Sequence, residues 1–306
     1  MPSPRFLALD WGTTNLRAWV VADDGTAGER RDFALGVSKL APGEAARRFR
    51  EEVRPALNAD ALPALLCGMV GSNLGWAQVP YRDAPADLAE LAASLFRIEG
   101  ETPQVAIVPG LRGVRQDGAP DVMRGEETQV LGWIALDPAR SRGDHVICHP
   151  GTHAKWVLVR EGRIERFVTA MTGELFDVLR KHSVLGGREG PDDDAAFDAG
   201  VDAAGDGAAL ASRLFTARSR VVGGGGMAAD QVKSYLSGLL IGAEVAATPA
   251  LLGAPADAPL ALLGDPTLCA HYARVFTRLG LRASVSDGDQ AALAGLNALY
   301  DRGMRR

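Results

Sequence analysis

The chain opens on a short apolar run, Phe6-Leu7-Ala8-Leu9, that ends at Asp10 and passes through Trp11-Gly12-Thr13-Thr14-Asn15-Leu16 into Arg17-Ala18-Trp19-Val20-Val21. Apolar runs bounded by turn residues read as buried strands, so this stretch is strand, tight turn, strand. Gly12 permits the turn, and Thr13, Thr14 and Asn15 furnish it with hydroxyls, an amide and backbone N–H groups. Asp23-Asp24-Gly25 turns the chain again, and a third strand is expected over 31–35. Successive N–H groups in such a turn can hold an anionic phosphate. A carboxylate at Asp10 can hold the Mg²⁺ that accompanies a nucleotide. An ordinary hairpin, with Asp10 and Thr13 merely capping its turn, would use the same residues, so the rest of the chain must decide.

With 306 residues, 47% apolar and 23% charged, the chain is long enough for about two globular domains. A net charge of −5 without any Lys/Arg cluster argues against a nucleic-acid partner. No run is expected to reach the roughly 18 apolar residues of a membrane span, and no signal-peptide core precedes residue 6. Cys67, Cys148 and Cys269 stand singly in apolar runs. They read as buried free thiols of a reducing compartment, the cytoplasm.

A helix is expected over 43–57, with Phe49, Val53 and Leu57 on one stripe, and a strand over 65–67. Gly68-Met69-Val70-Gly71-Ser72-Asn73-Leu74-Gly75-Trp76 follows, with the amides, hydroxyls and aromatic face that a sugar-like ligand would use. A plain turn with a packed Trp76 is the alternative. Next come a helix over 85–97, a strand over 105–108, and a loop over 111–119 whose Arg112 and Arg115 could receive a carboxylate. Asp121-Val122-Met123-Arg124-Gly125-Glu126-Glu127-Thr128-Gln129 leads into a helix that Asp137-Pro138 stops, and the domain boundary falls at 138/139.

The second half repeats the opening pattern: a strand over 145–148, the turn His149-Pro150-Gly151-Thr152-His153-Ala154-Lys155-Trp156, then strands over 157–159 and 163–170. His149 and His153 are four apart, but Pro150-Gly151 forbids the helical turn that a zinc pair would need. A helix over 171–182 leads to 186–210, rich in Gly, Asp and Ala, which reads as a solvated, mobile loop. The glycine run at 223–226 lacks the trailing Lys-Ser/Thr of a phosphate loop and reads as a connector. The most apolar helix, 230–247, is expected at an inter-domain core. A strand over 260–263 ends in Gly264-Asp265-Pro266-Thr267, where a glycine before a helix suits a planar nucleoside. A helix over 268–279, a strand over 281–286 and a closing helix over 291–300 complete the chain.

The pattern D-x-G-T-T-N-x-R at Asp10 resembles the first phosphate motif of the sugar kinase and actin superfamily. Five stretches in order look like those of the 2-dehydro-3-deoxygalactonokinase family: 10–17, 68–73, 123–128, 150–156 and Ser237-Gly238-Leu239-Leu240-Ile241-Gly242-Ala243-Glu244. The resemblance runs from residue 6 to about residue 299. It implies an α/β fold of two actin-like (ribonuclease H-like) domains, 1–138 and 139–306, whose mixed sheets flank a nucleotide cleft that closes. The helix over 289–300 is then expected to pack back on the first domain. It also implies ATP- and Mg²⁺-dependent phosphorylation of the terminal hydroxyl of a small sugar acid, 2-dehydro-3-deoxygalactonate. A kinase for another sugar or sugar acid, or a nucleotide-dependent switch, are the competing readings.

On this resemblance Gly12, Thr13, Thr14, Asn15, Gly151, Thr152, His153 and Lys155 are expected to hold phosphates. Gly264 and Asp265 are expected beside the nucleoside, and Asp10 on Mg²⁺. For the acceptor, Ser72, Asn73 and Trp76 face sugar hydroxyls, and Arg124, Arg17 and Arg112 are candidates for its carboxylate, Arg124 being preferred because a planar guanidinium binds both oxygens. One departure stands out: the second phosphate turn has His149-Pro150 where many actin-like ATPases carry an aspartate. Two segments compete for the catalytic base. Asp287-Gly288-Asp289-Gln290 looks like the Gly-Asp-Gln stretch of many sugar kinases but follows the adenosine strand. Gly125-Glu126-Glu127 lies in the expected place, so the base falls to Glu126 and Glu127 is structural. Both glutamates would also favour a helix N-terminus by about 0.3–1 kcal/mol with no chemistry at all.

Overall fold

In the computed structural model, which describes residues 2–305, the opening apolar run becomes β1 (Pro4–Trp11). It lies in the interior of a six-stranded sheet with β2 (Leu16–Ala22), β3 (Arg31–Phe33), β4 (Ala64–Cys67), β6 (Phe96–Arg97) and β7 (Val105–Ile107), in the order β3-β2-β1-β4-β7-β6. Strands β3, β2 and β1 are antiparallel, and β1, β4 and β7 are parallel. The edge strand β6 is antiparallel to β7. Because β1 is covered on both faces, Phe6, Leu7, Ala8 and Leu9 are all fully buried and the strand reads as a continuous apolar run.

The second sheet comprises β10 (Asp144–His149), β11 (Ala154–Arg160), β12 (Arg163–Ala170), β13 (Leu260–Gly264) and β14 (Ala283–Asp287), in the order β12-β11-β10-β13-β14. Three antiparallel strands again continue into parallel ones. The echo between the two turn motifs is therefore an echo of topology. A small third sheet pairs β5 (Arg82–Asp83), β8 (Leu111–Val114) and β9 (Pro120–Met123).

Alternate side chains of the strands feed three cores. Leu7, Leu9 and Trp11 pack with Phe49 and Val53 of the helical stretch formed by α1 (Glu44–Arg48), a π turn (Phe49–Val53) and α2 (Arg54–Ala56). Val146, Cys148, Trp156 and Leu158 pack against α6 (Asp194–Ala204), α9 (Val232–Leu252) and α10 (Pro266–Arg278). Between the sheets, Phe6 and Ala8 share one core with Ile147, Val157 and Val159. That core is filled by α3 (Leu88–Ala93), α4 (Glu126–Ala135) and α11 (Gly288–Gly303). The remaining helices, α5 (Thr172–His182), α7 (Leu210–Leu214) and α8 (Thr216–Val222), lie in the second half. All three cysteines are buried and free.

Several expectations are corrected. Helix α3 covers only 88–93 of the expected 85–97, because Phe96-Arg97 pairs with β7 instead. The loop over 111–119 is half strand: β8 and β9 form a hairpin around Arg115–Ala119. The segment 186–210 is not a loop throughout, since α6 forms where Asp193 caps the helix and Gly200 meets α9 backbone to backbone. Helix α9 is long and apolar enough to cross a membrane, contrary to the sequence expectation, but most of its residues are buried in this fold. It packs mainly on α6, α5, α10, β11 and β12 of the second half, touching the first half where its Leu251 carbonyl accepts the Gln116 N–H (3.1 Å), and contributes no residue to the core between the sheets.

That position belongs to the crossing of α4 and α11. A Cβ on Gly132 would overlap the Ala291 carbonyl oxygen, and one on Gly295 would overlap the Thr128 carbonyl. The absence of side chains at these two positions lets the helix backbones touch. Gly295→Ala should therefore destabilise the fold by about 1–3 kcal/mol, the scale of an overpacked core, although alanine has the better helix propensity. Urea unfolding monitored by circular dichroism reads the change; an unaltered midpoint would mean the crossing can relax.

Candidate active site

The β1–β2 hairpin places Asp10 at the mouth of the fold, opposite Arg17 in register. Beyond it the carbonyls of Gly12, Thr13 and Thr14 accept N–H groups from Val37 (3.1 Å), Ser38 (3.1 Å) and Gly36 (3.2 Å). Gly36 is required there, since a Cβ would overlap the Thr14 backbone. With its carbonyls taken on one side, the exposed turn keeps the N–H groups of Thr13, Thr14 and Asn15 without a partner among the described residues. That is the polarity an anion needs. Close behind, Gly68 at φ +90° lets the end of β4 approach Asp10: a Cβ would lie 3.2 Å from Asp10 Oδ1 and 2.8 Å from the Trp11 carbonyl.

Gly125, at φ +110°, comes against Gly68 and starts α4 beside the same carboxylate. Asp10 is thereby surrounded. Its pKa is raised from 3.8 to about 6, mainly by burial, with Arg17 lowering it and the charges of Asp289 and Glu126 raising it. Arg17 Nη1 lies 3.6 Å from Asp10 and 3.3 Å from Asp289, and Arg30 also pairs with Asp289. Both base candidates thus reach one site. Asp289 is held there by two arginines, whereas among the described residues the Glu126 carboxylate takes no side-chain donor, accepting the Arg124 backbone N–H (3.1 Å). Glu127 is wholly buried and accepts the Gly125 N–H (2.7 Å) and the Thr128 hydroxyl (3.1 Å) at the start of α4.

Across the cleft, the parallel strands β10, β13 and β14 end at His149-Pro150, Gly264-Asp265 and Asp287-Gly288-Asp289. Together with Arg17, Arg30 and Gln129 they line a cavity of 390 Å³. Carboxyl ends of parallel strands are the usual ligand position in such sheets. Asp265 caps α10 through the N–H groups of Thr267 (2.9 Å) and Leu268 (3.1 Å). A second cavity of 540 Å³ begins at Gly151 and is lined by Gly173 and Phe176 of α5, Ser234 and Ser237 of α9 and His271 of α10. It is mostly apolar with polar edges, the character of a small-molecule pocket.

Other expected residues are engaged elsewhere. Thr152 is exposed at the turn, its carbonyl bonded to the Glu174 N–H (3.0 Å). His153 is paired with the Glu174 carboxylate. Lys155 is buried and donates to Thr169 Oγ1 (2.8 Å) and the Val122 carbonyl (3.2 Å), so it ties β11 to β9. Trp76 is half-buried with its ring tilted on Phe49, the packed-turn alternative. Arg112 is exposed and paired with Asp83, so it does not join the other site arginines.

Arg124 behaves differently. It is 8% exposed, donates from Nη2 to the Val79 carbonyl (2.7 Å) and stacks 4.3 Å above Tyr81, yet its Nε and Nη1 are buried without a partner among the described residues. Gly71 leaves it room, and the neighbouring Ser72 is buried while Asn73 is exposed. Among the described residues no three His, Cys, Asp or Glu side chains form a metal cage. Asp10 alone suits Mg²⁺, which takes one or two carboxylates besides phosphate and water.

Gln129, His149, Arg30 and the walls of the 540 Å³ cavity were not anticipated as site residues. Gln129 was within reach, three residues after Glu126 on a helix. Arg30 carries no local signal at all. Trp156 and Glu244, from two of the quoted stretches, meet in the core, the indole donating to the carboxylate (2.7 Å).

Burial and the nearby Glu126 charge raise Glu127 from 4.5 to about 8, so the native state favours its protonated form. Its contribution to stability is complete below about pH 4.5 and is lost as pH rises through about 8. Glu127→Gln should therefore gain stability relative to the parent chain steadily between pH 5 and 9. Thermal midpoints across that range read the slope, and parallel curves would show that Glu127 titrates normally.

The family profile described as 2-keto-3-deoxy-galactonokinase matches residues 10–299. A relative from Rhizobium meliloti, Probable 2-dehydro-3-deoxygalactonokinase DgoK1, is 38% identical over 300 residues, covering 96% of this chain and 95% of the relative. The 2-dehydro-3-deoxygalactonokinase of Escherichia coli is 36% identical over 297 residues, covering 96% and 97%. A crystal structure from Sinorhizobium meliloti, described as a 2-dehydro-3-deoxygalactonokinase protein, superposes with a TM-score of 0.85 at 36% identity, covering 96% of this chain and 98% of that one. With the paired sheets and the Asp10 turn in place, a match of this length and identity leaves one conclusion: the chain belongs to the 2-keto-3-deoxy-galactonokinase family.

Proposed function

We propose that the chain transfers the γ-phosphoryl group of ATP to the terminal hydroxyl of 2-dehydro-3-deoxygalactonate, giving the 6-phosphate, as a step of galactonate breakdown. The observation that carries this reading is the meeting of Asp10 and Glu126 beside a turn of unpartnered N–H groups, with the buried guanidinium of Arg124 one residue from the same helix start. The homologues named for this activity support the acceptor. The division we infer is a first domain, 1–138, and a second, 139–306, with α11 returning to the first.

Residues 12–15 and the turn backbone at 151–152 hold the β- and γ-phosphates; Gly264 and Asp265, expected beside the nucleoside, line the 390 Å³ cavity, and the 540 Å³ cavity takes the nucleoside. Asp10 holds Mg²⁺, which when bound neutralises phosphate charge. Glu126 accepts the proton of the acceptor hydroxyl as its oxygen bonds to the γ-phosphorus and ADP leaves. Arg124 receives the acceptor carboxylate, while Ser72 and Asn73 receive hydroxyls. Asp289, neutralised by Arg17 and Arg30, holds the wall of the site rather than the proton.

Two measurements test this. Glu126→Gln should cut kcat by roughly 10²-fold or more, the scale of a lost general base, and Asp10→Asn should do likewise while acceptor binding survives. A larger loss in Asp289→Asn than in Glu126→Gln would move the base to α11. Arg124→Ala should raise KM for the sugar acid about tenfold or more, as expected for a lost charge-assisted contact of roughly 1.5–3 kcal/mol, leaving KM for ATP unchanged. Coupled ADP-release assays with 2-dehydro-3-deoxygalactonate, 2-dehydro-3-deoxygluconate, gluconate and hexoses read both the variant and the acceptor. A neutral hexose as the best substrate would overturn the carboxylate assignment.

A further inference from the structure

His149 has no part in the chemistry above, yet it stands where many actin-like ATPases carry an aspartate. It ends β10, and its ring nitrogen Nε2 lies 2.7 Å from Gln129 Oε1. Burial depresses its pKa, so the ring is neutral. A carbonyl oxygen can only accept, so the tautomer in place carries the proton on Nε2 and donates it to Gln129. Gln129 lies three residues after Glu126, on the same face of α4. Pro150-Gly151-Thr152 follow His149 directly. Gly288 at the start of α11 leaves room for the amide, since a Cβ there would sit 3.1 Å from Gln129 Oε1. A rigid helix, one hydrogen bond and a strand end therefore connect the Glu126 carboxylate to the second phosphate turn.

We propose that Gln129 and His149 are positioning residues whose hydrogen bond sets the separation between the Glu126 carboxylate and the phosphate turn at 150–152. The inference rests on Glu126 as the base. In-line transfer is sensitive to placement, a 1 Å error costing roughly 10²-fold, and this bond is a direct side-chain tie between the element carrying the base and the strand entering the turn. An imidazole also supplies a donor without adding negative charge to a site that already holds Asp10, Glu126 and Asp289. An aspartate at this position would add that charge.

A double-mutant cycle on the full-length enzyme tests the couple. Gln129→Leu and His149→Phe should each lower kcat by roughly 10- to 100-fold, with KM for ATP and sugar acid within about threefold. The double variant should lose no more than the worse single one, because the same bond is broken. His149→Gln, whose amide can take the place of the Nε2–H, should recover most of kcat. ADP affinity measured by calorimetry, which needs no turnover, should stay within about threefold throughout. If His149→Phe fails to fold, Gln129→Leu and His149→Gln still carry the comparison. Losses that multiply in the double variant, a kcat within twofold of the parent in Gln129→Leu, or weakened ADP binding at unchanged kcat would each overturn the proposal. Glu126→Gln assayed alongside separates the two assignments: a large loss there with an additive cycle removes the couple alone, and near-parent turnover there removes the base.

Discussion

The backbone contact between α4 and α11 is the constraint on which the rest depends. Each sheet alone is an ordinary mixed sheet with one face on its own helices. What brings the two together is a pair of helices lying between them, closely enough that Gly132 and Gly295 can carry no side chain. Helix α4 follows the first half and α11 ends the second, and their crossing puts the end of β1 near the ends of β10, β13 and β14. A wider crossing would separate Asp10 and Glu126 from Asp289 and His149, and no cleft residue could compensate.

The cleft so formed is electrostatically unfinished. Asp10, Glu126 and Asp289 lie within reach of one another, with Arg17 and Arg30 as the cations beside Asp289. Burial is the main cause of the raised pKa of Asp10, with the charges of Asp289 and Glu126 adding to it against the pull of Arg17. On the other side, Arg124 keeps two buried guanidinium nitrogens without acceptors. A buried unpaired donor is costly unless something else completes it. A cation at Asp10 and a carboxylate at Arg124 relieve both imbalances, which is the charge pattern of a metal-nucleotide and a sugar acid meeting in one place.

Much of this was legible one stretch at a time. The Asp10 turn, the Glu126 helix start and the Gly264 junction were each visible because turns and strand ends carry local signals: glycine, hydroxyls and a break in apolar periodicity. Arg112 and Trp76 show the limit. Both have the right chemistry in the right stretch, but a salt bridge to Asp83 and a ring contact with Phe49 engage them elsewhere. His153 and Lys155 sit in the expected turn, yet Glu174 and Thr169, distant in sequence, decide where their charges go. Helix α9 was misplaced because an apolar helix reports only that it is buried, not between which layers.

By itself the sequence determined the two repeated strand–turn–strand units, the order of the motifs and the residue types at each strand end, since backbone freedom and hydrogen-bonding groups are properties of a few neighbouring residues. The tertiary structure alone decided which carboxylates share a site. Asp10, Glu126 and Asp289 are far apart in the chain, and their mutual field exists because two glycines let α4 and α11 touch. Charge interactions depend on distance through space, and that distance is set by packing.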